Sequence, residues 1–269
     1  MTFVLYLLIG SVAGVLAGLF GVGGGIIIVP VLIFSFSAQL FPEQILTHLA
    51  VGTSLATIIV TSVSSVIAHH QRAAVDWPLF WRFAPAICIG VWLGVKTASG
   101  LSGSFLQQSF GVFAVVVGLQ MATGFMPGGH RPLPSNTGLF CVAGIIGWCS
   151  ALFGIGGGSL TVPFLSWCNI QMQRAVATSA AIGIPIALVG AISNIIEGWG
   201  RPELPEWSIG FVYLPAALGM VISSAIFARF GAKLAHSLPA ARLKQIFGLF
   251  LILIGLYLVI RVLIRVFVG

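Results

Sequence analysis

Two glycine runs hold the chemistry open to this chain. Gly23-Gly24-Gly25 lies in Leu19–Pro30, which reads L-F-G-V-G-G-G-I-I-I-V-P. Gly156-Gly157-Gly158 lies in Leu152–Pro163, which reads L-F-G-I-G-G-G-S-L-T-V-P, at a constant offset of 133 positions (152 − 19). Each run separates two apolar stretches, and a new helix is expected to open after it at Ile26 or at Ser159. A helix start presents unpaired N–H groups and a partial positive charge. Successive glycines let such amides converge with no side chain in the way. Two of these starts meeting inside a membrane would hold an anion with little or no formal positive charge. Hydroxyls at Thr53, Ser54, Thr178 and Ser179 could add donors. Close packing is the other use of such glycines, and it suits Gly10, Gly14 and Gly18, which recur every four residues on one helix face.

The elements that must position these groups are membrane helices. Hydrophobic residues make up 58% of the 269-residue chain and charged residues 6%, with a mean hydropathy of +1.12. A soluble domain carries about 25% charged residues. Several apolar stretches reach the roughly 20 residues that cross a bilayer, so the chain reads as an all-α polytopic membrane protein. The first residues, Met1-Thr2-Phe3-Val4, lack a basic region and read as the start of a retained segment, not a cleaved signal. The net charge of +7 comes from Lys and Arg at loop ends, which is topological usage and not a nucleic-acid signal. Cys88, Cys141, Cys149 and Cys168 have no metal or disulfide spacing, and no cofactor is expected.

The chain divides into two copies of one plan. Residues 1–126 form a first repeat, 127–137 a Pro/Gly-rich linker and 138–269 a second repeat. In the first, Phe3–Phe20 and Ile26–Phe36 flank the glycine break. A polar loop, Ser37–Thr47, leads to a hydroxyl-rich helix at Leu49–Ala68. Leu79–Thr97 and Phe105–Phe125 complete the half. In the second, Leu139–Trp167 is the broken pair, followed by Ala175–Ile196, Ser208–Phe227 and Gln245–Leu263. Ala50–Ser54 (A-V-G-T-S) falls on Ala175–Ser179 (A-V-A-T-S), and Phe110-Gly111 on Phe247-Gly248. A repeat extending over nearly the whole chain marks an internal duplication.

Charge placement bears on the relation between the halves. If each broken pair crosses the membrane once, the halves are parallel and the twelve Lys and Arg divide six against six. If each pair is a hairpin returning to its own side, the halves are inverted. One side then collects eight (Arg72, Arg82, Arg131, Arg174, Arg229, Lys233, Arg242, Lys244), and the other keeps four (Lys96, Arg201, Arg261, Arg265). Eight against four obeys the positive-inside rule. The expected architecture is therefore two inverted repeats, each a glycine-broken hairpin plus three transmembrane helices. The acidic loop Glu197–Glu206 then lies outside.

Other polar residues support fewer readings. All five acidic residues (Glu43, Asp76, Glu197, Glu203, Glu206) fall in loops or near helix ends, which argues against a buried carboxylate proton relay. Lys96 reads as a snorkelling side chain. His69 and His70 end a helix, and a gate or proton role is open to His69. Asn194 either bonds between helices or faces the path, and Trp148 is either packing or a pore wall. There is no H-E-x-x-H, no paired intramembrane carboxylate and no G-x-S-x-G, so an intramembrane enzyme is disfavoured. Matching breaks in two halves of one membrane chain point instead to a transport site near the midplane. The substrate-binding candidates are Gly23, Gly24, Gly25, Thr53, Ser54, Gly156, Gly157, Gly158, Ser159, Thr178, Ser179 and Asn194.

The doubled L-F-G-[VI]-G-G-G-x-x-x-V-P motif, Gly52-Thr53-Ser54 and the His69–Asp76 stretch resemble the TauE/SafE family of sulfite exporters. The resemblance covers essentially the full chain. It implies a multi-pass transporter of the cell inner membrane whose partner is a small sulfur-containing anion: sulfite, thiosulfate, sulfoacetate or another sulfonate. Alternating access is the expected mechanism, a channel-like facilitator is its neighbour, and a homo-oligomer is open. The second copy departs from the first, with Ala177 at the place of Gly52 and Asn194 and Glu197 at the places of His69 and Arg72. The resemblance therefore does not imply equal use of both halves.

Overall fold

The computed structural model describes residues 2–20, 25–123, 132–235 and 240–268. Gly21–Gly24 and most of the expected linker lie outside the described residues. The first repeat comprises α1 (Thr2–Phe20), α2 (Gly25–Ala38), α3 (Glu43–His70), α4 (Trp77–Ser99) and α5 (Gly103–Thr123). The second comprises α6 (Asn136–Phe153), α7 (Gly158–Trp167), α8 (Met172–Glu197), a two-stranded ribbon of β1 (Ser208–Ile209) and β2 (Val212–Tyr213), then α9 (Leu214–Ala235) and α10 (Ala240–Val268). Six helices among the described residues are long and apolar enough to cross a membrane: α3, α4, α5, α6, α8 and the Gln245–Val262 part of α10.

Helix starts follow local chemistry. Asp76 caps α4, its carboxylate accepting the Leu79 N–H at 3.1 Å with Pro78 in the first turn, and this satisfies an otherwise orphaned donor. Ser135 caps α6 in the same way through the Gly138 N–H. The hydroxyl-rich helix begins earlier than the expected polar loop allows. It starts at Glu43, directly after Pro42, and a carboxylate there complements the helix N-terminus. A further difference lies at Ser208–Tyr213, expected as helix and found as the β1–β2 ribbon, paired Ser208 with Tyr213 and Ile209 with Val212. Trp207 (φ 68°) and Gly210 (φ 54°) adopt left-handed backbone there, which breaks a helix and suits a tight hairpin turn.

Both broken pairs turn back on themselves. Gln39, just past α2, donates to the Tyr6 hydroxyl near the start of α1 at 2.7 Å, and the Tyr6 and Phe36 rings lie 6.4 Å apart. The far end of α2 is therefore back beside the beginning of α1. In the second pair, Arg82 near the start of α4 donates to Asn136 at the start of α6 at 2.6 Å. The neighbouring Phe83 packs on Phe164, late in α7, at 6.2 Å. A ten-residue α7 spans only about 15 Å, half of a bilayer core of about 30 Å. Each pair returns to its own end, and in the second the glycines of Gly154–Gly158 form the turn.

The halves interlock. α1 packs along α9, and its counterpart α6 packs along α4. Small residues allow this approach: a methyl group on Gly14 would sit 2.7 Å from Ser224 Cα, and one on Gly10 2.7 Å from Met220 Cα. The packing use expected of Gly10 and Gly14 is what the fold displays. α3 crosses α8 antiparallel, with Gly52 against Asn194 at one end and Gly183 against Ser62 at the other. α5 and α10 are likewise antiparallel, Gly111 meeting Gly255 and Gly118 meeting Gly248. At the end where α1 begins and α2 finishes, Tyr6, Phe36, Phe41 and Tyr213 form an aromatic cluster, with Tyr213 5.4–5.9 Å from each of the other three rings.

Candidate functional site

The second glycine break is built by two left-handed residues. Gly154, at φ 63° and ψ 32°, terminates α6, and the N–H groups of Gly154 and Ile155 both return to the Ser150 carbonyl. Gly157, at φ 76°, opens α7. L side chains are disfavoured at such angles, so glycine is required at both positions. Gly157 O accepts from Leu160 and Thr161. Among the described hydrogen bonds, none takes the N–H of Gly156, Gly157, Gly158 or Ser159. Pro163 stands in the second turn of α7, where its missing N–H leaves the Ser159 carbonyl without a helical donor.

The edge of the first break lies against the second. Gly23 and Gly24 fall outside the described residues, but Gly25 begins α2. A methyl group on Gly25 would lie 2.8 Å from the Gly154 carbonyl oxygen and 2.8 Å from Ile155 Cα. The Ser54 hydroxyl, reaching across from α3, donates to that same Gly154 carbonyl at 2.8 Å. Gly25, Ser54 and the Gly154–Gly158 turn thus form one backbone-to-backbone junction between the halves.

A cavity of about 50 Å³ adjoins this junction, lined by Gly156, Gly158 and Ser179 on one side and Thr61, Ser62 and Ser65 of α3 on the other. A water needs on the order of 10–15 Å³ of such space, so the cavity takes a few waters or one small anion. Ser62 Oγ and the Gly156 carbonyl both approach Gly183, which leaves room for no more than a hydrogen there. Three buried hydroxyls here have no partner among the described residues: Ser150 (0% exposed), Thr161 (0%) and Ser179 (2%). Ser179 faces the cavity. Thr161 Oγ1 and Ser150 Oγ lie 3.5 and 3.8 Å from where a methyl group on Gly157 would stand. Buried polar atoms ordinarily find partners, so three such hydroxyls around one turn make it a candidate ligand site.

Several expected site residues are engaged elsewhere. Thr53 Oγ1 accepts the Tyr213 N–H at 3.0 Å, at the start of α9. Thr178 Oγ1 accepts the Asp76 N–H at 3.1 Å, at the start of α4. The two form a matched pair of ties, each fastening one half to a helix start of the other. Asn194 donates to its own helix through the Gly190 carbonyl at 2.8 Å. It stands 15 residues beyond Ser179, about 22 Å along α8, and so does not join the cavity. Ser159 is half-buried in the first turn of α7. His69 is half-buried one turn beyond Ser65 on the same face of α3. Trp148 is 38% exposed and donates to Thr97 on α4 at 3.2 Å. Lys96 is exposed, over the Trp92 ring at 5.2 Å. Ser150 and Thr161 were not among the expected site residues. Their signal in the sequence is a hydroxyl just before and one within the second motif, where the first copy carries Ala17 and Ile28.

Comparison with known proteins agrees with this architecture. Residues 6–258 match the family described as sulfite exporter TauE/SafE. The chain is 36% identical over 263 residues to a "Probable membrane transporter protein" of Haemophilus influenzae, covering 97% of this chain and 99% of that one. It is 27% identical to a protein of the same description from Methanocaldococcus jannaschii, with 95% of each chain covered. With YunE of Bacillus subtilis it shares 28% identity over 96% of this chain and 98% of the relative. No solved structure matches it. A helical chain with six membrane-length helices, duplicated glycine breaks and this match over nearly its full length belongs to the sulfite exporter TauE/SafE family of multi-pass membrane transporters.

Proposed function

We propose that this protein carries small sulfur-containing anions (sulfite, thiosulfate, sulfoacetate or other sulfonates) across the cell inner membrane by alternating access, with no enzymatic step. The observation that carries this reading is the junction of the two breaks, where Gly25 abuts Gly154–Ile155 beside four amides that no described carbonyl accepts. Helix-terminal amides are natural anion donors. A site at the boundary between two repeats can open to either side as the halves rock.

Inverted repeats are part of the proposal. The antiparallel pairing of the equivalent helices α3 with α8 and α5 with α10 supports them, because equivalent helices of parallel repeats run in the same direction. Short returning hairpins support them as well, since they leave three crossings per half. The functional test is flux in proteoliposomes. Radiolabelled sulfite or a sulfonate should exchange across the vesicle membrane at a saturable rate, and Ser179→Ala, which leaves the backbone of the turn intact, should sharply reduce that exchange while the protein remains folded. Unsaturable flux would favour a facilitating channel. Absence of flux for every sulfur oxyanion tried would reject the proposal.

A further inference from the structure

We propose that the two breaks are not equivalent: the second alone holds the anion, in a neutral hydroxyl pocket that selects singly charged over doubly charged oxyanions, with Ser150, Thr161 and Ser179 setting that selectivity. The inference rests on the anion-transport reading above and specifies its site.

The asymmetry lies in the chemistry at matched positions. In the motif register (offset 133), Ser150 falls on Ala17 and Thr161 on Ile28. In the register of α3 and α8 (offset 125), Thr61, Ser62 and Ser65 fall on Ile186, Ala187 and Gly190. Five of the six hydroxyls at the second break thus have apolar or absent counterparts at the first. The sixth, Ser179, corresponds to Ser54, and Ser54 is engaged with the Gly154 carbonyl. At the places matched to Ala180 and Ser65, Leu55 packs on Gly190, its Cδ1 2.9 Å from where a methyl group would stand. Among the described residues, donors without partners occur around the second turn, whereas the sequence carries Ala17 and Ile28 at the places matched to Ser150 and Thr161.

Charge selection follows from what the pocket lacks. Among the described residues, no Lys, Arg or His lines it. The compensating field comes from hydroxyl dipoles and the start of α7, equivalent to about half a unit charge. The cost of desolvating an ion in a low-dielectric interior is large and, in the Born treatment, grows as the square of its charge, while stabilisation by fixed dipoles grows only linearly. A monoanion is therefore held where a dianion of the same shape is rejected. Among sulfur oxyanions this favours hydrogensulfite or a sulfonate over sulfite dianion or sulfate. Val162, Val176 and Ala180 in the same lining suit the carbon of a sulfonate.

Methanesulfonate and sulfate test this, because both present an SO₃ tripod and neither titrates near neutrality. Binding to the purified full-length protein is followed by calorimetry, and folding by thermal melting. Wild type should bind methanesulfonate at one site per chain and sulfate at least about a hundredfold more weakly. Thr161→Val and Ser179→Ala should each weaken methanesulfonate about tenfold or more, the usual loss when one donor to a charged group is removed. Thr161→Ser should restore binding, and Ile28→Val, at the matched place in the first half, should leave it unchanged. Sulfate binding as tightly as methanesulfonate would overturn the charge rule. Unaltered binding by both folded hydroxyl variants, two sites per chain, or no binding by a protein that still moves sulfite would overturn the placement and leave transport standing. Neither binding nor flux would end both readings.

Discussion

Thr53 and Thr178 offer a decision between a ligand group and a structural tie. Each is fully buried and accepts a backbone N–H at the start of a helix in the opposite half, Tyr213 at 3.0 Å and Asp76 at 3.1 Å. Valine has nearly the shape of threonine, so Thr53→Val removes the acceptor and leaves the volume. A buried donor then loses its partner, which costs about 1–3 kcal/mol. Hydrogen bonds between membrane helices average nearer 0.6 kcal/mol with a maximum of about 1.7, so about 1–2 kcal/mol is the working figure. At roughly 2–4 °C per kcal/mol for a chain of this size, each variant should melt about 2–8 °C lower. The two ties lie on antiparallel helices, about 20 Å apart by helical rise, so the double variant should show the sum of the single losses. Thermal unfolding followed by tryptophan fluorescence reads the stability, and methanesulfonate calorimetry reads the site. Lower melting with unchanged affinity, and recovery in Thr53→Ser, are the expected results. An unchanged melting temperature with affinity reduced tenfold would refute the tie and return both threonines to the site.

Two further outcomes are expected. Gly25→Ala places a methyl group 2.8 Å from the Gly154 carbonyl oxygen and 2.7 Å from Ile58 Cδ1, so it should cost about 1–3 kcal/mol by overpacking and impair flux; a variant with wild-type melting and flux would separate the two breaks. In a background with Cys88, Cys141, Cys149 and Cys168 replaced by alanine, single cysteines at Ala73 and Glu203 should react with an impermeant maleimide from opposite faces of the membrane. Labelling from one face would mean parallel halves.

Much of this protein is legible along the chain. The excess of apolar residues sets its class, because a helix is how a lone segment satisfies its backbone in lipid. The second motif locates its turn: Gly154 and Gly157 take left-handed backbone angles, which their residue type announces. The family match agrees with the doubled motif and the Gly52-Thr53-Ser54 stretch. Local signals were misleading at the ribbon, where apolar Ser208–Tyr213 reads as the opening of a helix and forms strands instead.

Which way each side chain faces was decided only by the tertiary structure. Thr53 and Ser54 are neighbours with the same polarity, yet one fastens α9 and the other braces the second break. Asn194 and Ser179 share one helix and stand at different ends of it. Ser150, two residues before the motif, and Thr161, inside it, become candidates only when the nearby described acceptors are accounted for. In a soluble protein an apolar stripe marks the buried face of a helix. Here lipid and protein interior are equally apolar, so rotation about the helix axis leaves no periodic trace in the sequence. The interlocking of α1 with α9 and of α6 with α4 fixes that rotation, and with it the choice of which hydroxyls surround the turn.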